Sequence, residues 1–219
     1  MQASSDARGH TPVLYQNVLL QLNLRSGGHY IDGTVGAGGH AAGILEGTSP
    51  NGKLLGLDRD PVALELARQY LQDFGGRFEL RHASYAQMHE VARSLGWTNV
   101  DGILLDLGLS SMQVDQAERG FSFVREGRLD MRFDPTTGQN AHELVNGLSE
   151  EDLRDILWRF GEEPKARAIA KAIVAARPLQ TTTELAAVVA SAAGRKRKGV
   201  HPATRSFQAI RIAVNDELE

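Results

Sequence analysis

Over the first half of the chain, short apolar runs bounded by glycines, prolines and acids alternate with longer amphipathic stretches. His29-Tyr30-Ile31-Asp32 follows a Gly-Gly pair and reads as a strand entering a glycine-rich turn. Lys53-Leu54-Leu55-Gly56-Leu57-Asp58 reads as a second strand and Arg77-Phe78-Glu79-Leu80-Arg81-His82 as a third. Val100-Asp101-Gly102-Ile103-Leu104-Leu105-Asp106 reads as a fourth, apolar on both faces near its end. Helical patterns fall between them at 41–45, 61–74 and 85–95. Pro61 after Asp58-Arg59-Asp60 suits a helix whose first turn tolerates proline and whose cap is an acid. Strands alternating with helices imply βαβ units, an α/β class and a parallel sheet covered on both faces.

After Asp106 the pattern turns helical. Stretches 150–160, 165–177 and 183–193 are separated by breaks at Gly161, Pro164, Pro178 and Gly194. A last helix is expected over 203–219, with Phe207, Ile210, Val214 and Leu218 on one face. Nothing between Gln113 and Gly199 has the pattern of a buried parallel strand. The expected organisation is a sheet domain of 1–113 and 202–219 with a helical domain inserted at 114–201, the last helix returning to the sheet. Four strands are few for a doubly wound sheet, and a helical pattern still runs through Asp216-Glu217-Leu218-Glu219, so a partial polypeptide is expected.

Composition adds limits. With 219 residues, 42% hydrophobic and 23% charged, the chain has the make-up of a soluble protein that buries a core. It has no cysteine, which removes disulfides and thiolate metal sites. The polar stretch 1–10 lacks the apolar centre of a signal peptide, and no run approaches the roughly 20 apolar residues of a membrane span. The expectation is a cytoplasmic protein without a membrane partner. A net charge of −3 argues against a uniformly basic coat. Arg195, Lys196, Arg197 and Lys198 nevertheless form a local basic run, readable as phosphate contacts or as a solvated loop.

The chemistry concentrates after the first strand, in Asp32-Gly33-Thr34-Val35-Gly36-Ala37-Gly38-Gly39-His40. Glycines let a backbone turn tightly and approach a ligand, and the next helix start offers unpaired N–H groups. Gly36 to Ala41 fits G-x-G-x-x-A, a pattern that a plain strand-to-helix turn also produces. Asp58 ends the second strand about 20 residues on, where an acid accepts hydrogen bonds from ribose hydroxyls. That holds for NAD and for adenosylmethionine alike. Asp32 discriminates between them, because a carboxylate at this strand mouth receives an ammonium and repels a pyrophosphate. Asp106 adds a third acid on the same edge. Three acids favour a ligand carrying a sulfonium and an ammonium, so S-adenosylmethionine is preferred over a dinucleotide.

These segments resemble the 16S ribosomal RNA cytosine-N4 methyltransferase family. The resemblance is carried by His10-Thr11-Pro12-Val13-Leu14, the glycine segment from Asp32 to His40, Leu57-Asp58-Arg59-Asp60-Pro61 and Asp101-Gly102-Ile103-Leu104-Leu105-Asp106-Leu107-Gly108. It continues in Ser110-Ser111-Met112-Gln113, Glu118-Arg119-Gly120-Phe121-Ser122-Phe123, Leu129-Asp130-Met131-Arg132, Gly161-Glu162-Glu163 and the run from His201 to Arg211. The resemblance implies a class I, Rossmann-like methyltransferase sheet with an inserted helical domain that recognises substrate. It implies cofactor contacts at Gly38, Gly39, His40, Asp58, Tyr85, Asp106 and Gln113, with 16S ribosomal RNA of the small subunit as partner. Members continue past this endpoint with further strands. The Asn/Asp-Pro-Pro-Tyr/Phe motif of most amino-group methyltransferases is missing, and Asp106-Leu107-Gly108-Leu109 stands in its place.

Methyl transfer to an amine needs alignment, a hydrogen-bond acceptor and a proton exit, and no metal. Asp106 is the catalytic candidate, with the carbonyl of Leu107 as a second acceptor. Arg119, Phe121, Phe123 and Arg132 are expected to border the acceptor pocket, with Phe121 or Phe123 stacking on an extruded base. A small core under a loop would use the same phenylalanines.

Overall fold

The computed structural model describes residues 14–194 and 201–218. It separates into two compact units, Met1–Gly108 and Leu109–Glu219.

The first unit runs α1 (Tyr15–Gln21), β1 (His29–Asp32), α2 (Gly39–Gly47), β2 (Lys53–Asp58), α3 (Pro61–Tyr70), β3 (Phe78–His82), α4 (Met88–Ser94) and β4 (Gly102–Leu104). All strand pairs are parallel, in the order β3-β2-β1-β4. β1 is therefore flanked on both sides, Ile31 pairing with Leu55 of β2 and Ile103 of β4. Alternation along the strands supplies two apolar layers. Tyr30, Leu54 and Leu80 pack with Ile44 and Leu45 of α2 and with Leu64 and Ala67 of α3. Ile31, Leu55 and Leu57 pack with Ala92, Met88 and Val91 of α4. The α/β expectation therefore holds, with the central strands β1 and β2 buried on both faces.

Several boundaries moved for local reasons. β4 stops at Leu104, because the amide of Asp106 bonds a side chain and leaves the ladder. The helix expected over 61–74 ends at Tyr70 and is followed by a separate 3₁₀ turn, Gln72–Phe74. The one expected over 85–95 opens with a 3₁₀ turn, Tyr85–Gln87, closed by reciprocal bonds between Ser84 and Gln87. The acid cap is Asp60, whose Oδ1 accepts the Val62 amide at 3.0 Å.

The second unit contains α5 (Ser111–Asp115), α6 (Ala141–Gly147), α7 (Glu150–Gly161), α8 (Ala166–Ala175), α9 (Thr182–Ala193) and α10 (Thr204–Asn215). Starts are capped by Ser110, Asn140, Ser149 and Thr181, each accepting an amide three residues on. Among the described residues it has no strand, and only an antiparallel bridge joins Arg128 to Thr181. Its core gathers Leu153 and Leu157 of α7, Ile169 and Ile173 of α8, Leu185 and Val189 of α9, and Phe207 and Ile210 of α10.

The partition expected from the sequence sets 1–113 plus 202–219 against 114–201. The buried face of α10 is taken up by α7 and α6 within the helical unit, and the units divide after Gly108. The contact depends on Gly161, where a Cβ would stand 2.6 Å from the Arg205 carbonyl oxygen. Arg205 in turn donates to the Glu162 carbonyl at 2.7 Å, where α7 ends in a left-handed residue. α10 ends at Asn215, capped by left-handed Asp216. Leu218 consequently lies off the helix and is exposed.

Asn215 fastens the Met131–Phe133 loop to α10. Its Oδ1 accepts the Phe133 amide and its Nδ2 donates to the Met131 carbonyl, both at 2.7 Å. The side chain is almost wholly buried, and its loss strands two main-chain groups at about 1–3 kcal/mol each. Asn215→Ala is expected to lower unfolding free energy by about 2–4 kcal/mol, seen as a reduced urea midpoint followed through Trp158; an unchanged midpoint would refute this role.

Candidate active site

Parallel strands present their carboxyl ends along one edge, and ligands of open α/β sheets bind there, where the strand order reverses. The reversal here lies at β1, between β2 and β4. Asp32 ends β1, Asp58 ends β2 and Asp106 follows β4 by two residues, so the first sheet unit brings the expected acid trio to this edge.

The glycine segment is stitched into place by its main chain. The Gly33 amide donates to the Leu104 carbonyl at 2.9 Å and the Val35 amide to the Leu57 carbonyl at 2.9 Å. Gly38, left-handed at φ 92, caps α2, and Gly39 and His40 form its first turn. Tyr85 borders the same segment: a Cβ on Gly33 would stand 3.0 Å from its Cβ and 2.5 Å from Leu105 Cδ2. His40 is buried, its ring stacked on Tyr15 at 5.9 Å between centroids. Its Nδ1 lies 4.0 Å from Asp106 Oδ2, beyond hydrogen-bond reach.

The three acids sit in different surroundings. Asp32 is 1% exposed, and its Oδ1 accepts the Thr34 amide at 3.1 Å. Burial pushes its carboxyl up to about 7; the Thr34 amide opposes this and the Asp58 and Asp106 carboxylates add to it. Asp58 is also raised by burial, while amides of Asp60 and Gly36 hold it back. Its Oδ2 accepts from Gly36 at 2.8 Å and its Oδ1 from Asp60 at 2.9 Å. The Arg59 amide also lowers its pKa, and a carboxylate has about four acceptor sites, so capacity for a ligand hydroxyl remains. The Asp106 side chain is 60% exposed, and its main chain is held by the Thr34 hydroxyl, which accepts its amide at 2.7 Å.

The residues expected at the acceptor pocket belong to the helical unit. Arg119 is buried, donating to the Arg132 and Phe133 carbonyls at 3.1 and 3.0 Å. Phe121 is buried, stacked on Phe133 and under the Arg119 guanidinium. Arg132 grips Asp130 through two hydrogen bonds of 2.9 and 2.7 Å. Phe123 is half-buried, stacked on His201 and edge-on to Phe207. These side chains are occupied in holding the loop, as a small core would use them. Gln113 completes the capping box of α5 with Ser110. Arg195, Lys196, Arg197 and Lys198 lie outside the described residues.

Three structural partners escaped the sequence reading. Thr34 links two acids, Tyr15 covers His40, and a ring nitrogen of His82 meets the Arg59 carbonyl at 2.9 Å. Only Thr34 left a trace, as a hydroxyl inside the glycine segment.

Fold and crevice define a Rossmann-like α/β sheet unit followed by a helical one. The MraW methylase family profile matches residues 7–219, and the chain belongs to that family. Ribosomal RNA small subunit methyltransferase H of Thermomicrobium roseum is 51% identical over 213 residues, 96% of this chain and 65% of the relative. The protein of the same name in Syntrophus aciditrophicus is 51% identical over 214 residues, 95% of this chain and 68% of the relative. The chain thus spans about two thirds of the length of these curated relatives. A solved SAM-dependent O-methyltransferase from Thermotoga maritima aligns at TM-score 0.32 and 20% identity over 35% of this chain and 29% of that one, too slight a likeness to bear on the fold.

The pH dependence of the ligand-free protein follows from Asp32. Its folded pKa lies above the unfolded value of 3.8, so between about 4 and about 7 the folded state holds the extra proton. Stability contributed by this group is full below about 4 and is lost as pH rises towards 7, by at most about 1.4 kcal/mol per pH unit. Asp32→Asn is expected to remove that slope and to raise the melting temperature at pH 8, read by thermal melts across pH 4–8; parallel profiles for the two proteins would rule it out.

Proposed function

We propose that this protein transfers a methyl group from S-adenosylmethionine to the N4 amine of a cytosine in 16S ribosomal RNA of the small subunit, in the cytoplasm. The observation that carries the reading is the buried Asp32 carboxyl beside Asp58 and the glycine segment, in a chain of the MraW methylase family. The name carried by the relatives supports the RNA substrate.

The crevice suits this cofactor on its own chemistry. A carboxyl held up to about 7 by burial and by two neighbouring acids is relieved by an incoming ammonium. Asp58 keeps acceptor capacity for a ribose hydroxyl, and Tyr85 stands beside the loop as a ring for an adenine to lie against. Gly38, Gly39 and His40 bring main chain close at the start of α2. When bound, the cofactor supplies an electrophilic methyl on a sulfonium.

The cytosine amine is a weak nucleophile because its lone pair is delocalised into the ring. Asp106, exposed at the same edge, accepts a hydrogen bond from that amine and localises the lone pair; the Leu107 carbonyl is a second acceptor. After transfer the amine sheds a proton, and Asp106 is the group to receive it. Recognition of the RNA falls to the helical unit, with Arg119 and Arg132 shaping the loop that carries Phe121 and Phe123. The run from Arg195 to Lys198 meets phosphates.

Calorimetry should show binding of adenosylmethionine or adenosylhomocysteine and none of NADH, and Asp58→Ala should weaken it by about 1.5–3 kcal/mol; tight NADH binding would sink the assignment. Labelled adenosylmethionine with small ribosomal subunits should yield N4-methylcytosine. Attack from carbon 5 usually recruits a thiolate, and these 219 residues contain no cysteine; recovery of the carbon-5 isomer would overturn the chemistry. Replacing the four basic residues by Ser should weaken RNA binding and flatten its salt dependence by about 0.7–0.9 per lost phosphate contact, whereas an unchanged slope would leave them a solvated loop.

A further inference from the structure

The main chain after β4 has little stiffness of its own. Leu105-Asp106-Leu107-Gly108 contains no proline, Leu107 is exposed and Gly108 has φ 141, a conformation few other residues adopt. Yet this segment carries the group proposed to meet the acceptor amine, where a misplacement of about 1 Å can cost about a hundredfold in rate. Something outside the segment must hold it.

That restraint comes from 72 residues earlier. Thr34 sits in the glycine segment with its amide donating to Asp32 Oδ1 at 3.1 Å and its hydroxyl oxygen accepting the Asp106 amide at 2.7 Å. Next to it, the Gly33 amide holds the Leu104 carbonyl at 2.9 Å. One residue therefore touches the acid proposed to receive the cofactor ammonium and the main chain of the acid proposed to receive the amine proton.

We propose that Thr34 is a positioning residue, resting on the function proposed above: its hydroxyl sets where Asp106 meets the acceptor amine, and its amide ties that placement to occupancy of the cofactor crevice. An ionised Asp32 accepts from the Thr34 amide more strongly than a neutral one, since hydrogen bonds to charged acceptors are shorter and stronger. A cationic ligand at Asp32 therefore tightens the glycine segment, and through the hydroxyl it tightens the Asp106 main chain.

Thr34→Val keeps the shape and removes the acceptor, whereas Thr34→Ser keeps it. In the complete protein, Thr34→Val is expected to lower kcat for methyl transfer about ten- to a hundredfold, with a much smaller, few-fold loss of adenosylhomocysteine affinity, the reciprocal of the coupling. Thr34→Ser should restore kcat. Hydrogen exchange supplies a readout independent of turnover: the Asp106 amide should exchange faster in Thr34→Val, and adenosylhomocysteine should slow it in the parent and Thr34→Ser proteins only. Thr34→Ala substitutes should the valine variant fail to fold.

A Thr34→Val protein with parental kcat and parental Asp106 exchange would overturn the proposal. So would equal loss of cofactor binding and rate without rescue by serine, which marks a merely structural threonine. A parent protein that neither binds adenosylhomocysteine nor methylates RNA would instead bring down the methyltransferase reading, while exchange at Asp106 would still decide whether the clasp exists.

Discussion

Burying a carboxyl at the end of the central strand is the constraint around which the sheet unit is arranged. Asp32 is enclosed because β1 has a parallel neighbour on each side and the glycine segment folds back over its end. Ionisation in that position is opposed by lost hydration and by two other acids. Proteins tolerate such a group where it does something other than stabilise the fold. The ionised carboxylate therefore carries an electrostatic cost here that a neighbouring cation would relieve.

The helical unit meets a different constraint. The stretch between α5 and α6 has few regular elements and must be ordered by side chains. Arg119 spends its guanidinium on two main-chain carbonyls, Arg132 grips Asp130, and Asn215 reaches over from α10 to two main-chain groups. Motif residues expected as substrate contacts thus also fasten the loop. Charged and aromatic side chains in a loop are ambiguous for this reason, because a buried polar loop needs the same groups that a nucleic-acid site needs. Phe123, half-buried against His201, is the aromatic of the set with the least enclosed ring.

Local information was well represented in the sequence. β1 and β2 have the expected limits because period-two alternation and flanking glycines or acids specify strand ends. The acid trio was legible because parallel topology alone puts three strand ends on one edge. What escaped depends on contacts distant in sequence. β4 is shorter than its apolar run because Thr34, not a strand, takes the Asp106 amide. α10 joins α7 because Gly161 admits the Arg205 main chain, and nothing in the hydrophobic period of 203–219 says which surface that stripe will cover. Short helices such as α1, set against α2, and α6, capped by Asn140, are held by tertiary contacts or caps, so their periodicity was too brief to recognise.

The absence of an Asn/Asp-Pro-Pro-Tyr/Phe motif after β4 then acquires a physical meaning. Two consecutive prolines would stiffen a segment through their own fixed φ angles, with no partner needed. Asp106-Leu107-Gly108 lacks that internal restraint, and a glycine at φ 141 loosens it further. The fold supplies the missing order from outside, through a threonine hydroxyl on the neighbouring strand's loop. External restraint differs from internal restraint in one respect that matters for mechanism. A proline is rigid whether or not a ligand is present, whereas a hydrogen bond between two loops responds to whatever moves either of them. On the proposed function, a clasp in place of prolines would let the Asp106 segment respond to the glycine segment, a property a self-stiffened segment would not have.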